Sequence, residues 1–245
     1  MLIETRRENV AAIAFPGQTI SHNEDFSLQA GSPETIAKET KIPVYSDFRN
    51  FDIAKGGKGA PLIPHFHQYL LSEKGTEQLV LNIGGICNGT HLKDEEIVHS
   101  SDIGPGNCLL DATMRNFNLG KFDSDGLMAS KGNVDDILLE KLLHEIDFLS
   151  YPRADDLSLY LNLMETYKKF LAEKNPEDVL CTFVELTVRK IEEYFNFCGA
   201  PAKVIFHGGG TENKYLMKRI KEMIKTDIST IDSLISSKYV ESAAF

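Results

Sequence analysis

Leu79-Val80-Leu81-Asn82-Ile83-Gly84-Gly85-Ile86-Cys87-Asn88-Gly89-Thr90-His91-Leu92 is the stretch on which the fold turns. Leu79 to Ile83 reads as a strand, Gly84-Gly85 as a tight turn, and Ile86 to Leu92 as a returning strand, the pattern of an antiparallel hairpin. Ile97 to Asp102 predicts a third strand, ending in Gly104-Pro105-Gly106-Asn107 and running into a helix through Phe117. Further on, Ala202-Lys203-Val204-Ile205-Phe206 is an apolar-leaning strand that ends on His207-Gly208-Gly209-Gly210, with a helix behind it capped by Thr211 or Asn213. Val134, Ile137, Leu138 and Leu142 mark another helix. The longest is predicted from Pro176 to Phe197, with Val179, Leu180, Phe183, Val184, Thr187, Val188 and Ile191 inside. Strands alternating with helices after an antiparallel hairpin imply an α/β mixed sheet covered on both faces.

Upstream of the hairpin the signals are weaker. A turn-rich opening runs to Lys41, and Pro43 to Phe48 reads as a short strand. The loop Gly56-Gly57-Lys58-Gly59 leads into a helix from Ala60 to Leu71. The polar interval Ser72 to Gln78 is the best boundary, dividing the chain into 1–78 and 79–245.

Of 245 residues, 26 are Lys or Arg and 36 Asp or Glu, a formal charge of −10 that argues against a nucleic-acid binder. No apolar run reaches the roughly 18 residues of a spanning helix, and the charged start Met1 to Glu8 lacks a signal-peptide pattern. The expectation is a cytoplasmic protein with no membrane contact. The four cysteines (Cys87, Cys108, Cys181, Cys198) are far apart and read as small buried hydrophobes.

Four glycine clusters fall at predicted strand ends: 56–59, 84–85, 104–106 and 208–210. Glycine lets backbone N–H groups approach an anion, and a following helix adds its own N-terminal donors. Several such turns in one α/β sheet point to a nucleotide or phosphate crevice. No Walker A, G-x-G-x-x-G, G-x-S-x-G or H-E-x-x-H sequence is present, so the common mononucleotide, dinucleotide, serine-hydrolase and zincin sites are unsupported. A lone Asp in such a chain is usually a turn or cap residue. Asp52 stands apart, because it shares a short segment with Arg49, an anion partner, and with a donor-rich loop. His65 and His67, two residues apart, lie on different helix faces and make a poor metal pair. His207 is a ligand contact or a strand-end packing residue.

Taken together these motifs resemble the anhydro-N-acetylmuramic acid kinases. The resemblance rests on Ser46 to His67, Asn82 to Asn88, Asp102 to Asn107, Phe122-Asp123-Ser124-Asp125-Gly126 and Gly208 to Gly210, in family order. It implies an actin/hexokinase-like fold of ribonuclease-H-like lobes, with the first lobe here incomplete and the second largely complete. It also implies ATP- and Mg²⁺-dependent hydrolytic opening of a 1,6-anhydro amino sugar with phosphorylation at O6, in peptidoglycan recycling. On this resemblance Asp52 is the base that activates water, and Gln18, Thr19, Arg49 and Glu241 lie on the sugar side. Gly84, Gly85, Gly104, Gly106, Asn107, Gly208, Gly209 and Gly210 lie on the nucleotide side, and Asp102 is the Mg²⁺-side carboxylate. The sequence departs from the family in three places. The N-terminal phosphate hairpin has no counterpart, Pro16 replaces a histidine, and Tyr151 to Leu157 replaces a Pro-Lys-Ser-Thr-Gly-type loop. The alternative reading is a catalytically impaired homologue that binds a sugar or a partner and dimerises through the surface that the absent strands would cover.

Overall fold

The computed structural model describes residues 10–23, 25–146 and 150–244; the charged start Met1 to Glu8 and Phe245 lie outside them. Its central feature is a five-stranded mixed sheet built from β5 (Glu77–Ile83), β6 (Ile86–Lys93), β7 (Glu96–Pro105), β8 (Lys203–His207) and β9 (Asp227–Thr230). The order is β7-β6-β5-β8-β9, with β5–β6 and β6–β7 antiparallel and β5–β8 and β8–β9 parallel. That order is the ribonuclease-H-like arrangement. Leu79, Val80, Leu81 and Ile83 are all nearly inaccessible, because helices cover both faces of the sheet.

On one face lie α4 (Cys108–Asn116), α5 (Asp136–Ile146), α6 (Leu157–Thr166), α7 (Lys168–Ala172), α8 (Pro176–Phe197) and α9 (Lys214–Met223). Their apolar stripes join Leu79, Leu81, Ile83, Val204 and Phe206 in the main core. The long α8 is fixed at its start by the Asn175 side chain, which accepts from Glu177 N–H, and by Pro176 in the first turn. On the other face a smaller core gathers Ile63, Ile205, Ile231 and Val240 under α3 (Pro64–Leu71) and α10 (Val240–Ala244).

The first 60 residues form more structure than a turn-rich opening. They hold β1 (Ile13–Phe15), β2 (Gln18–His22), β3 (Ser27–Ala30), α1 (Pro33–Thr40), β4 (Val44–Ser46) and α2 (Phe48–Ala54). β1 pairs in parallel with β4, and β2 pairs antiparallel with β3. The strand expected to reach Phe48 stops at Ser46, because Asp47 turns left-handed and opens α2. The helix expected from Ala60 begins at Pro64, whose missing N–H costs nothing in a first turn. That helix, α3, packs against β6 and β7 of the five-stranded sheet.

Candidate active site

The base candidate sits where α2 runs out into the glycine loop. Asp52 Oδ2 accepts a hydrogen bond from Gly59 N–H at 2.7 Å, and Arg49 Nη1 donates to the Gly59 carbonyl at 2.8 Å. One residue, Gly59, therefore holds the side chains of both Asp52 and Arg49 through its N–H and its carbonyl. The loop also needs Gly57, where an added Cβ would lie 2.1 Å from Asp52 Oδ2. Asp52 lines a cleft of about 490 Å³ with Lys58, His65, His99, Ser100, Pro152 and Arg153, so its walls come from the glycine loop, β7 and the 151–157 loop.

Behind that cleft lies a buried charged cluster. Asp102, 5% exposed, accepts from Asp155 N–H at 2.8 Å, and its own N–H donates to the Arg153 carbonyl at 2.9 Å. Arg153 Nε pairs with Asp155 Oδ2 at 3.2 Å, and the Tyr160 hydroxyl donates to the same oxygen. Burial pushes the Asp102 carboxyl up to about 7; the Asp155 charge adds to the rise, and the Asp155 N–H, Arg153 and Arg49 oppose it. Burial lowers the Arg49 guanidinium from its ordinary value, and the charges of Asp102 and Glu241 act against that shift. Arg49, Asp102 and the exposed Glu241 of α10 thus share one electrostatic neighbourhood. Gln18 and Thr19 enter it less directly. They sit on β2 opposite Ala30 and Gln29, about 13 and 10 Å along the strand from His22. His22 is the end of β2 that meets the glycine loop: its Cε1 would be 3.0 Å from a Cβ on Gly59.

The other glycine turns pack against one another. Gly106 N–H and Asn107 N–H donate to the carbonyls of Gly85 and Gly84 at 2.9 and 2.8 Å, and Cys108 N–H also reaches Gly85. A Cβ on Gly106 would stand 2.4 Å from the Gly84 oxygen, so only glycine permits that approach. Gly104 rests on Lys190 and Arg153. Gly208, at φ +89, and Gly210 press on Asn82 and Ile83, while Gly209 has open space where a side chain would be. Gly209 and Asn107 line a second cavity of about 270 Å³ with Asp111, Asp123, Asp125 and Asn213. The amides of Gly106 and Asn107 are thus engaged within the protein, leaving the Asn107 side chain and the open turn at Gly209 for a ligand there.

His67 and His207 have a structural use. His67 is fully buried on α3, meets Thr90 Oγ1 through Nδ1 and His207 Nε2 through Nε2, each at 2.9 Å, and His65 is exposed. Burial and then His207 push His67 down to about 3; burial pushes His207 down to about 4, with Asp232 opposing. Both imidazoles are neutral, as a buried donor–acceptor pair requires. Among the described residues no three His, Cys, Asp or Glu side chains gather to hold a metal ion, and no helix is long and apolar enough to cross a membrane.

Sequence reasoning missed Lys58, Arg153, Asp155 and Asp156. The pair Asp155-Asp156 ahead of Leu157-Ser158-Leu159-Tyr160 carries an N-cap signal, and Asp156 does cap α6 by accepting from Ser158 N–H at 2.7 Å.

The strand order and the two cavities at its glycine turns define an actin/hexokinase-like protein. Among solved structures, the activator of the 2-hydroxyisocaproyl-CoA dehydratase from Clostridium difficile, with bound ADPNP, superposes at a TM-score of 0.50 over 95% of this chain and 90% of its own, at 10% identity. The sequence model of the anhydro-N-acetylmuramic acid kinase family matches residues 2–245, and the chain belongs to that family. It is 40% identical over 98% of its length to the anhydro-N-acetylmuramic acid kinase of Gamma-proteobacterium EBAC31A08, and 39% identical over 96% to that of Pseudomonas savastanoi pv. phaseolicola. In each case it spans 67% of the relative.

Proposed function

We propose that the chain acts as an ATP-dependent kinase on 1,6-anhydro-N-acetylmuramic acid, adding water at the anomeric carbon as the ring opens and phosphorylating O6. The observation that carries this reading is the Asp52 carboxylate, held at the cleft wall by Gly59 N–H with Arg49 on the carbonyl of the same residue. In this role Asp52 takes the proton of the attacking water, and the Gly59 bond fixes the carboxylate that receives it. Arg49 offers positive charge to the oxygens of the sugar, beside Glu241. Gln18 and Thr19 extend the sugar side along β2.

The nucleotide would occupy the second cavity, against Gly209 and Asn107, with its phosphates directed toward Gly84, Gly85, Gly104 and Gly106. Asp102 suits a cation: burial holds its carboxyl near 7 against the opposing charges of Arg153 and Arg49, and a divalent ion beside it would favour the ionised form. Kinases hold Mg²⁺ by one or two carboxylates plus phosphate oxygens and water, so a single residue suffices here. When bound, the ion neutralises charge on the transferring phosphoryl group.

The test is ADP release coupled to a reporter, with 1,6-anhydro-N-acetylmuramic acid as acceptor. Sugar-dependent turnover that is abolished in Asp52→Asn supports the proposal. Sugar binding by calorimetry with no turnover and no ATP affinity would replace it with the sugar-binding alternative.

A further inference from the structure

The 151–156 loop ahead of α6 does two jobs with adjacent residues. Arg153 and Asp155 lock onto Asp102 and Ser101: Arg153 N–H donates to Ser101 Oγ at 2.9 Å and Asp155 N–H to Asp102 Oδ2 at 2.8 Å. The next residue faces the other way. Asp156 Oδ1 caps α6 through Ser158 N–H, and Asp156 Oδ2 accepts from His22 N–H at 3.0 Å, across 134 positions of sequence.

His22 is not a loose end. Its Nδ1 meets Ser27 Oγ of β3 at 3.0 Å, and Ser27 is tied through its own N–H and carbonyl to the Asn50 side chain at 2.8 and 2.9 Å. Asn50 lies on α2, two residues before Asp52. An unbroken series of bonds therefore runs from Asp102 through the 153–156 loop to β2, β3 and the helix of the base. A helix cap alone needs one carboxylate oxygen; the second oxygen, spent on a strand end from a different sheet, has no capping use.

We propose that Asp156 is a positioning residue: its carboxylate clamps the β2–β3 hairpin to the loop that anchors Asp102, so that the sugar side and the phosphate side keep one fixed spacing. The mechanistic part of this inference rests on the proposed kinase reading; the clamp itself does not.

Three variants of the full chain separate clamp from cap. Asp156→Ser keeps a good N-cap but has a single oxygen, which cannot serve Ser158 and His22 together. Asp156→Asn is likewise a good N-cap with a single acceptor oxygen and sets an NH2 where the second oxygen stood, and Asp156→Ala removes both roles. The expected result for Asp156→Ser is a wild-type melting temperature with about tenfold faster hydrogen exchange at the His22 amide. Its kcat/KM for the anhydro sugar falls about tenfold while KM for ATP is unchanged, as the loss of one charge-assisted bond predicts. Asp156→Asn falls with Asp156→Ser in both readouts, since its one oxygen cannot serve both amides. Unchanged exchange at His22 in Asp156→Ser overturns the clamp. Faster exchange with unchanged sugar kinetics in an active enzyme overturns its positioning role. If the wild type turns over no sugar, the kinase reading fails and the exchange measurement alone decides the clamp.

Discussion

Gly57→Ala isolates the geometry of the proposed base, Asp52, without touching its chemistry. Gly57 has an ordinary backbone conformation, so alanine is tolerated there by the main chain. The new methyl would stand 2.1 Å from Asp52 Oδ2, 2.4 Å from Cγ and 2.6 Å from Oδ1. Cβ atoms do not come within 3.0 Å of such neighbours, so the carboxylate must withdraw by at least about 0.9 Å, the difference between those distances. It cannot do so and keep the 2.7 Å bond from Gly59 N–H.

A displacement of about 1 Å in a catalytic group lowers turnover on the order of 100-fold, which corresponds to about 2.7 kcal/mol of barrier. The fold should hardly notice, because Asp52 is only half-buried and borders the cleft. Gly56→Ala is the control. Gly56 has φ +90 and nothing within 4 Å, so alanine there strains the backbone by about 1 kcal/mol and leaves the carboxylate alone. The assay is steady-state ADP release beside a thermal melt of each variant. The expected pattern is Gly57→Ala crippled in kcat with a near-native melt, and Gly56→Ala slightly less stable with near-native kcat. A Gly57→Ala enzyme with wild-type kcat would refute the assignment of Asp52, since its carboxylate would then be free to move without consequence.

Three further outcomes follow from the same geometry. The neutral His67–His207 pair resists protonation, with values near 3 and 4 when folded against 6.5 when free. The unfolded chain therefore binds more protons between about pH 6.5 and 4, and stability must fall as pH drops through that window; urea melts of His67→Gln should show a shallower fall. Asp102 behaves in the opposite sense: the folded chain keeps its proton up to about pH 7 and the unfolded chain loses it near 3.8, so its contribution falls as pH rises through that interval. Asp102→Asn is expected to gain on the wild type by on the order of 2–4 kcal/mol at pH 8, with the gain vanishing below pH 4, while losing phosphoryl transfer. Gly208→Ala would set a Cβ 2.2 Å from Asn82 Oδ1 and 2.7 Å from the Ile83 oxygen at φ +89, costing roughly 3 kcal/mol in chemical melts and weakening ATP binding measured by calorimetry.

Where burial was strong, sequence pattern and structure agree. The 79–92 hairpin, β8 and the 22 residues of α8 show because both faces of the sheet, or one broad stripe of helix, must be apolar. The opening segment did not show, for a physical reason: β1 has three residues, all half-buried, and α2 has seven with none buried and no side-chain cap at Asp47. Neither period 2 nor period 3.6 has room to register there. α1 did carry a signal, since Ser32-Pro33-Glu34 is an N-cap, a first-turn proline and a first-turn acid, and Ser32 Oγ accepts from Thr35 N–H. In the site, the bond of Asp52 to Gly59 spans seven residues and could be anticipated from the loop; that of Asp156 to His22 spans 134 and could not.

The glycine clusters show how one sequence signal covers different physical needs. All were expected to free backbone donors for an anion, yet Gly106 and Asn107 direct theirs at the carbonyls of Gly84 and Gly85. What glycine supplies at 106, 208 and 210 is contact between main chains, or of main chain with Asn82 and Ile83, closer than any Cβ allows, whereas a Cβ on Gly85 would meet nothing nearer than 3.9 Å. The three turns thus pack on one another and on Asn82 and Ile83 at the end of the sheet. Fixed dipoles stabilise a charge that develops in a transition state because they need not reorganise when it appears. Under the proposed kinase reading the locked turns would hold such dipoles in place, and the open turn at Gly209, together with the cavity it lines, would be where a ligand meets the main chain.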